Sequence, residues 1–261
     1  MKVLSQKLNL ESFFRTVSRA SQRVLMLDYD GTIAPFQVNR MEAFPYPEVN
    51  EVLEKIISQR KNRVIIISAR QISQLLQLFS LAKKVEIWGC YGLERLTTDG
   101  KYEIAIAELD RTQLDGLEKA KELFEKLGLV KQYERKPGCI ALHWRGLDVQ
   151  VIESIGNNVF KPLWDIANKH GLRFQQFNGG LELTSSNRNK GFVVNQILSE
   201  VGQEAVLAYL GDDVEDEYAF KAIKTKGVAI LVSSEQKFTE ADVCLESPIE
   251  LVQFFQRWLE S

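Results

Sequence analysis

Four short apolar runs, each followed by a polar residue, constrain the fold of this chain more than any other feature. They span residues 24–27, 64–67, 206–210 and 228–232. Unbroken runs of β-branched and aliphatic residues of this length are typical of strands that are buried on both faces of a sheet. Between them, apolar residues recur at helical spacing. This alternation predicts an α/β fold with a Rossmann-like, doubly wound parallel sheet that has helices on both faces.

The pattern changes between residue 96 and residue 179. Strands are predicted over residues 102–107, 131–135, 139–145 and 173–177, and helices over residues 114–127 and 149–170. Gly128 and Gly171 end the two helical patterns, as glycine commonly does. We therefore expect a core made of residues 1–95 and 180–261, with a smaller α+β domain inserted over residues 96–179.

The composition narrows the classes of function. The formal net charge is −2, whereas binding to a nucleic-acid backbone needs a clustered basic face. Cys90, Cys139 and Cys244 are far apart in sequence, which favours a reducing compartment over a disulfide framework. No apolar run approaches the roughly 20 residues that cross a bilayer, and the N-terminus lacks the apolar region of a signal peptide. We expect a cytoplasmic protein that binds neither nucleic acid nor membranes.

Acidic and hydroxyl side chains directly follow three of the predicted strands. Residues 28–32 read Asp-Tyr-Asp-Gly-Thr, Ser68 follows the second strand, and Asp212 opens an acidic segment that also holds Asp213 and Asp216. Taken singly, a serine there is typical of a helix N-cap, and the acidic segment is typical of a helix start. In an open parallel sheet, however, ligands bind outside the carboxyl ends of the strands. We therefore expect these side chains to meet in one crevice.

The residue types at these positions indicate phosphoryl transfer to a carboxylate. Asp28 can attack phosphorus as a nucleophile and form an aspartyl-phosphate. Asp30 can give a proton to the leaving alkoxide and then take one from water. Lys190 begins a predicted helix, where its charge opposes the helix dipole and so indicates a nearby anion. Together with Ser68 and Thr32, it would contact the phosphoryl oxygens.

Several carboxylates around a phosphate dianion repel it, so such a site needs a cation. At ~4 Å each like-charge pair costs about 4 kcal/mol at an effective dielectric constant of 20. The available ligands are oxygens, from Asp28, Asp212 and a backbone carbonyl, because the chain has only two histidines and no cysteine pair. Ligation by oxygen alone predicts Mg²⁺ as the cofactor.

These segments, in this order, resemble those of the haloacid dehalogenase superfamily of phosphohydrolases. Further segments are similar to the trehalose-6-phosphate phosphatase family: residues 27–35 (LDYDGTIAP), 67–70 (ISAR), 89–94 (GCYGLE), 134–136 (ERK), 143–145 (HWR), 181–183 (LEL) and 211–220 (GDDVEDEYAF). The chain departs from the family at Ala69, where glycine is usual, and at Tyr91, where histidine is usual. Both departures lie near the expected sugar-binding side.

The resemblance implies a phosphatase that converts trehalose 6-phosphate to trehalose and phosphate through an aspartyl-phosphate. It implies that Asp28, the backbone carbonyl of Asp30 and Asp212 bind Mg²⁺, with Asp213 and Asp216 in support. It also implies that the inserted domain is a cap that closes over the substrate. The substrate contacts that follow from it are Arg70, Glu134, Lys136, His143, Arg145 and Glu182.

Other interpretations remain open at this point. The same chemistry would serve another glycosyl phosphate, such as sucrose phosphate or a mannosyl-phosphoglycerate. A phosphomutase also begins with Asp-x-Asp-Gly-Thr, but it returns the phosphate to a sugar hydroxyl. A catalytically inactive regulatory domain need not keep the whole set of polar residues. A glycosidase fits poorly, because its carboxyl groups lie about 5–9.5 Å apart across a sugar ring, whereas Asp28 and Asp30 follow one strand.

Overall fold

A computed structural model describes residues 1–105 and 109–261 of the chain. The strands are β1 (Lys2–Val3), β2 (Arg23–Leu27), β3 (Asn62–Ile67), β4 (Glu86–Gly89), β5 (Glu94–Leu96), β6 (Tyr102–Ile104), β7 (Tyr133–Lys136), β8 (Cys139–His143), β9 (Leu172–Phe177), β10 (Gly180–Ser185), β11 (Val206–Gly211), β12 (Gly227–Val232) and β13 (Val243–Leu245). The helices are α1 (Leu10–Arg19), α2 (Pro47–Ser58), α3 (Ile72–Leu78), α4 (Arg111–Lys126), α5 (Val149–His170), α6 (Lys190–Glu200), α7 (Asp216–Ile223) and α8 (Pro248–Glu260).

The described residues form two compact units. The core unit comprises Met1–Glu103 and Asn189–Ser261, and the inserted unit comprises Ile104–Arg188. Each unit has its own sheet and its own apolar interior.

The sheet of the core unit is doubly wound, as predicted. Its order is β1-β13-β12-β11-β2-β3-β4-β5-β6, and the pairs from β13 to β4 are parallel. The edges differ from the prediction, because β1 and β5 join the sheet antiparallel. These additions lie outside the central β11-β2-β3 group, whose carboxyl ends carry the predicted polar residues.

Alternation along β2 explains why helices cover both faces of this sheet. Leu25 and Leu27 pack in one apolar cluster, which includes residues of α1, α2, α3 and α8. Val24 and Met26 pack in a second cluster, with residues of α6 and α7. All four side chains are fully buried, and burial of an aliphatic side chain of this size contributes about 1.5–3 kcal/mol. A strand that is apolar on both faces is therefore stable only in the middle of such a sandwich.

The inserted unit is a four-stranded antiparallel sheet, with helices α4 and α5 against one face. Its order is β7-β8-β10-β9. Ile140, Leu142, Leu181 and Leu183 point to the helices and are fully buried. The helix predicted over residues 149–170 is found with those bounds, and Gly171 follows it with a left-handed φ of 63°. In the described part of the chain, even this long helix is not apolar enough to cross a membrane, and neither is any other.

The structure moves both predicted domain boundaries. Residues 94–96 form β5, which pairs with β4 in the core sheet, and β6 lies next to β5. Residues 180–185 form β10, which pairs with β8 and β9 in the inserted unit. The core therefore resumes at Asn189 and not at residue 180, because the turn at residues 178–179 folds the chain back onto β9. Of the strand predicted over residues 102–107, β6 covers Tyr102–Ile104, and residues 106–108 lie outside the described part.

Candidate active site

Three neighbouring parallel strands deliver the predicted polar residues to one edge of the core sheet. Asp28 follows β2, Ser68 follows β3 and Asp212 follows β11. Strand pairing continues into these residues, since the Asp28 N–H donates to Leu210 O at 2.9 Å and the Ser68 N–H donates to Trp88 O at 2.9 Å. The side chains are therefore held by the sheet itself, and all three are buried.

Lys190 joins the acidic groups of this edge. It is the first residue of α6, whose N-cap is Asn189. Its Nζ lies 2.8 Å from Asp28 Oδ1, 2.8 Å from Asp216 Oδ1 and 4.0 Å from Asp213 Oδ1. Burial alone would lower the pKa of this lysine, but the neighbouring carboxylates hold it well above its usual value. Lys190 is therefore a buried, permanently charged ammonium beside Asp28.

Asp216 is fully engaged by donors and orients the groups around it. Its Oδ1 accepts from Lys190 at 2.8 Å and from the hydroxyl of Tyr209 at 2.5 Å. Its Oδ2 accepts from the backbone N–H groups of Asp212 at 3.0 Å and Asp213 at 3.1 Å. Burial opposes the charge of Asp216, but Lys190 and these donors keep its pKa below the usual value. Asp216 thus fixes both Lys190 and the turn that carries Asp212.

The carboxylates of this edge fit a hard divalent cation. Asp28, Asp212 and Asp216 can each offer one oxygen within 4.8 Å of the others. Asp212 Oδ1 is buried and has no hydrogen-bond partner among the described residues. Gly31 leaves room for this carboxylate: its φ is 85°, and a Cβ there would lie 2.7 Å from Asp212 Oδ1 and closer still to Oδ2. A buried carboxylate oxygen that has no hydrogen-bond partner among the described residues, and beside which a glycine leaves room, suits a metal ligand.

The charges of the cluster also favour a cation. Burial raises the pKa of Asp28 to about 8, against the opposing effect of Lys190. Burial and then the charge of Asp28 raise the pKa of Asp212 to about 10. Burial raises the pKa of Asp213 to about 6. Carboxylates that resist ionisation together ionise readily once a divalent cation lies between them.

Asp30 lies at the rim of this cluster and is held by Arg70. The Arg70 Nε donates to Asp30 Oδ2 at 2.6 Å, and its Nη2 donates to Oδ1 at 2.7 Å. The Thr32 hydroxyl donates to Asp28 Oδ2 at 3.4 Å. Ser68 Oγ accepts from the Arg70 N–H at 3.1 Å, so its own proton can point to a ligand.

The candidate sugar contacts of the inserted unit divide into two places. Glu134, Lys136, His143 and Glu182 share the sheet face opposite the helices, as the pairing register and strand alternation require. On this face His143 Nε2 lies 3.3 Å from Glu134 Oε2, and Lys136 Nζ lies 3.8 Å from Glu182 Oε2. Arg145 lies instead in the loop after β8, where it donates to the carbonyl of Asn178. The structure thus brings four of these residues together and places Arg145 on a turn.

Two contributors to the edge were not predicted from the sequence. Tyr209 is one, and the available signal was a hydroxyl-bearing residue inside an otherwise apolar strand, three positions before Asp212. Lys237 is the other: its Nζ donates to Asp212 O at 3.2 Å. It lies in an irregular segment 25 residues further on, and no sequence signal marks it.

Comparison with known proteins identifies the family. The family model described as trehalose-phosphatase matches residues 26–248. The chain belongs to the trehalose-phosphatase family. Among relatives of this family, trehalose-phosphate phosphatase B of Arabidopsis thaliana is 27% identical over 269 residues, which cover 97% of this chain and 70% of that protein.

Solved structures with the same fold include members of this family. The C-terminal domain of trehalose-6-phosphate phosphatase from C. albicans superposes with a TM-score of 0.83 at 20% identity, covering 100% of this chain and 99% of that one. A phosphatase of the HAD enzyme superfamily from Bacteroides thetaiotaomicron superposes with a TM-score of 0.61 at 14% identity, covering 97% and 99%. The predicted superfamily fold and family are therefore confirmed.

Proposed function

We propose that this chain is a magnesium-dependent phosphatase that hydrolyses trehalose 6-phosphate to trehalose and phosphate through an aspartyl-phosphate on Asp28. The observation that carries the proposal is the contact of Asp28 with a buried ammonium, 2.8 Å from Lys190, beside the partnerless oxygen of Asp212. A nucleophilic carboxylate needs such neighbours, because the phosphoryl group brings further negative charge. Membership of the trehalose-phosphatase family supports the sugar phosphate as the substrate.

The reaction requires two carboxyl groups in different roles. An oxygen of Asp28 attacks phosphorus, the bond from phosphorus to the sugar oxygen breaks, and the Asp30 carboxyl group gives its proton to that oxygen. Water then attacks the phosphorus, Asp30 takes a proton from it, and the bond from Asp28 to phosphorus breaks. The products are the free sugar and phosphate, and both aspartates return to their starting states.

The residues that would hold Mg²⁺ are Asp28, Asp212 and the backbone carbonyl of Asp30, with Asp213 and Asp216 in support. The fit rests on the partnerless Asp212 Oδ1 and on the space that Gly31 leaves for it. When bound, the ion neutralises the carboxylates and polarises a phosphoryl oxygen. Magnesium is favoured over softer metals because the cluster offers oxygen ligands.

Three further residues of the core unit are proposed to bind the phosphoryl oxygens. Lys190 supplies a charge that its carboxylate neighbours maintain. Ser68 and Thr32 are each proposed to donate from a hydroxyl group. Both side chains are buried; Thr32 lies beside Asp28, and Ser68 directly follows β3. Donors fixed in advance stabilise developing charge without reorganising during the reaction.

The inserted unit is proposed to act as a cap that determines the sugar. Carboxylate, ammonium and imidazole groups share one sheet face there, and such groups suit the hydroxyls of a disaccharide. The contacts proposed on this face are Glu134, Lys136, His143 and Glu182, with Arg145 as a further candidate. Closure of the cap would exclude bulk water. Cys90, Cys139 and Cys244 form no disulfide with one another, which supports a reducing, cytoplasmic setting for this reaction.

A phosphate-release assay over a panel of sugar phosphates with Mg²⁺ tests the proposal. We expect trehalose 6-phosphate to be preferred by more than about tenfold in kcat/KM, a difference of about 1.4 kcal/mol. Preference for another glycosyl phosphate would refute the substrate, and an isomerised sugar phosphate without free phosphate would reveal a mutase. The Asp28→Asn variant should release no phosphate while keeping the circular dichroism spectrum of the unaltered protein. Activity that survives this change would refute the covalent mechanism.

A further inference from the structure

Arg70 binds the carboxyl group of Asp30 through two parallel hydrogen bonds, at 2.6 Å and 2.7 Å. Arg70 is buried, whereas Asp30 is partly exposed. We infer that Arg70 is a positioning residue that fixes the orientation of the Asp30 carboxyl group for proton transfer. The inference rests on the proposed function, and it assigns Arg70 a role other than contact with the sugar.

Arg70 is itself held in place by hydrogen bonds of its backbone and by the contact of its guanidinium with the ring of Tyr29. Its N–H donates to Ser68 Oγ at 3.1 Å, and its carbonyl accepts from the Cys90 N–H at 2.9 Å. Its guanidinium lies 5.8 Å from the ring centre of Tyr29, the residue between the two aspartates. Tyr29 is buried in the core, and its hydroxyl donates to Ala43 O at 2.9 Å. The guanidinium is therefore anchored before any substrate arrives.

The turn at Cys90 and Tyr91 is strained, and it supports the loop that carries Ser68 and Arg70. Cys90 and Tyr91 have positive φ angles of 49° and 56°, a conformation that costs a non-glycine residue about 1–2 kcal/mol. In this conformation the Tyr91 N–H donates to Ser68 O at 3.3 Å, next to the bond from Cys90 to Arg70. Strain of this kind persists where the surrounding structure requires it. Here it holds the backbone that carries both Ser68 and Arg70.

The orientation of Asp30 matters because proton transfer needs one oxygen aimed at the leaving group. Each carboxyl oxygen has more than one acceptor direction, so the two bonds from Arg70 leave other directions open to the substrate. Without the guanidinium, the partly exposed side chain of Asp30 would rotate among several conformers. A well-placed general acid contributes about 10²–10⁴-fold to the rate. A general acid speeds the reaction only if the leaving oxygen must be protonated. A sugar alkoxide needs this proton, whereas a nitrophenolate leaves without it.

Single-turnover kinetics with enzyme in excess and Mg²⁺ present test this inference. Release of trehalose from trehalose 6-phosphate and of p-nitrophenol from p-nitrophenyl phosphate both report the attack by Asp28. We expect Arg70→Met to slow trehalose release by about 10–100-fold, and p-nitrophenol release by less than about 3-fold. In an Asp30→Asn background, Arg70→Met should slow trehalose release by less than about a further 3-fold, because the two residues act as one unit.

Arg63 provides a matched control. It lies at the opposite end of β3 and donates twice to one carboxylate oxygen, Glu86 Oε2, from its Nε at 3.0 Å and from its Nη2 at 2.6 Å. Arg63→Met should change the single-turnover rate with either substrate by less than about 3-fold, although it also removes a partly buried arginine–carboxylate ion pair. Arg70→Lys keeps the charge but cannot make two parallel bonds, so it should not restore the rate with trehalose 6-phosphate.

Three results would overturn the inference while leaving the proposed function intact. They are an equal loss with both substrates in Arg70→Met, a higher enzyme concentration at the half-maximal single-turnover rate with an unchanged rate at saturation, and full activity in Arg70→Lys. The first two would mean that Arg70 contacts the substrate, and the third would mean that the two parallel bonds to Asp30 are not needed. By contrast, an unaltered enzyme that releases product from neither compound in the presence of Mg²⁺ would refute the proposed phosphatase itself.

Discussion

Substitution of Gly31 by alanine should separate metal binding from backbone strain. The φ of Gly31 is 85°, and a methyl group there would meet both oxygens of Asp212. Gly100 is a matched control in the same unit, because its φ is 86° and a Cβ there would meet no atom within 4 Å. Gly31→Ala and Gly100→Ala therefore share the backbone penalty, and only the first displaces Asp212.

The expected magnitudes follow from these two contacts. In the absence of metal, each variant should lose about 1–2 kcal/mol of unfolding free energy through its left-handed alanine. At a Mg²⁺ concentration 100 times the Kd, the unaltered protein should gain about 2.7 kcal/mol. If displacement of Asp212 weakens binding about 100-fold, the gain of Gly31→Ala at the same concentration falls to about 0.4 kcal/mol.

Urea unfolding followed by circular dichroism, with and without Mg²⁺, measures these differences. Gly100→Ala should keep the full stabilisation by Mg²⁺, and Gly31→Ala should lose most of it. Equal stabilisation of both variants would show that Asp212 does not hold the ion, and the assignment of the metal site would then be wrong. Loss of stabilisation in both variants would instead implicate a general response of the core unit to strain.

Three further outcomes are expected. Tyr209→Phe removes a hydroxyl donor from the buried carboxylate of Asp216 and should cost about 1.5–3 kcal/mol in urea unfolding; no change would show that the hydroxyl is dispensable. Partial burial of Glu200 raises its pKa, but hydrogen bonds from Arg63 and Arg95 outweigh this effect and hold the pKa below its ordinary 4.5. The ionised Glu200 therefore stabilises the protein above pH 4.5, and this stabilisation is lost as the pH falls. Glu200→Gln should therefore flatten the loss of stability below that pH, and an unchanged acid limb would contradict this assignment. EDTA should stop phosphate release and excess Mg²⁺ should restore it, whereas an enzyme insensitive to the chelator would rule out the oxygen-ligated ion.

The central fold could be predicted because its determinants are local. Unbroken apolar runs such as residues 24–27 can be satisfied only between two layers of helices, and Gly171 marks the end of α5 without reference to distant residues. The convergence of Asp28, Ser68 and Asp212 follows from parallel strand order alone. These features need no knowledge of which residues meet across the chain.

The remaining features depend on distant contacts that the sequence does not specify. Residues 180–185 read as a strand in either unit, and only the register with β9 assigns them to the inserted one. Arg70 was predicted as a substrate contact because it sits in a family motif, but its partner Asp30 lies 40 residues away. The sequence does not distinguish Tyr209 from the other residues of its apolar strand. Its contribution becomes evident only from the fold, in which its hydroxyl group donates to Asp216.

The left-handed pair Cys90 and Tyr91 has a consequence for protein engineering. Glycine at either position would relieve about 1–2 kcal/mol of conformational strain, but both side chains are buried. Removal of a buried aromatic side chain costs about 3–5 kcal/mol, so glycine at Tyr91 should destabilise the protein despite the relief of strain. The same changes would free the chain that orients Ser68 and Arg70. Side-chain packing and the orientation of the neighbouring loop therefore both favour bulky residues in a backbone conformation that glycine would adopt at lower cost.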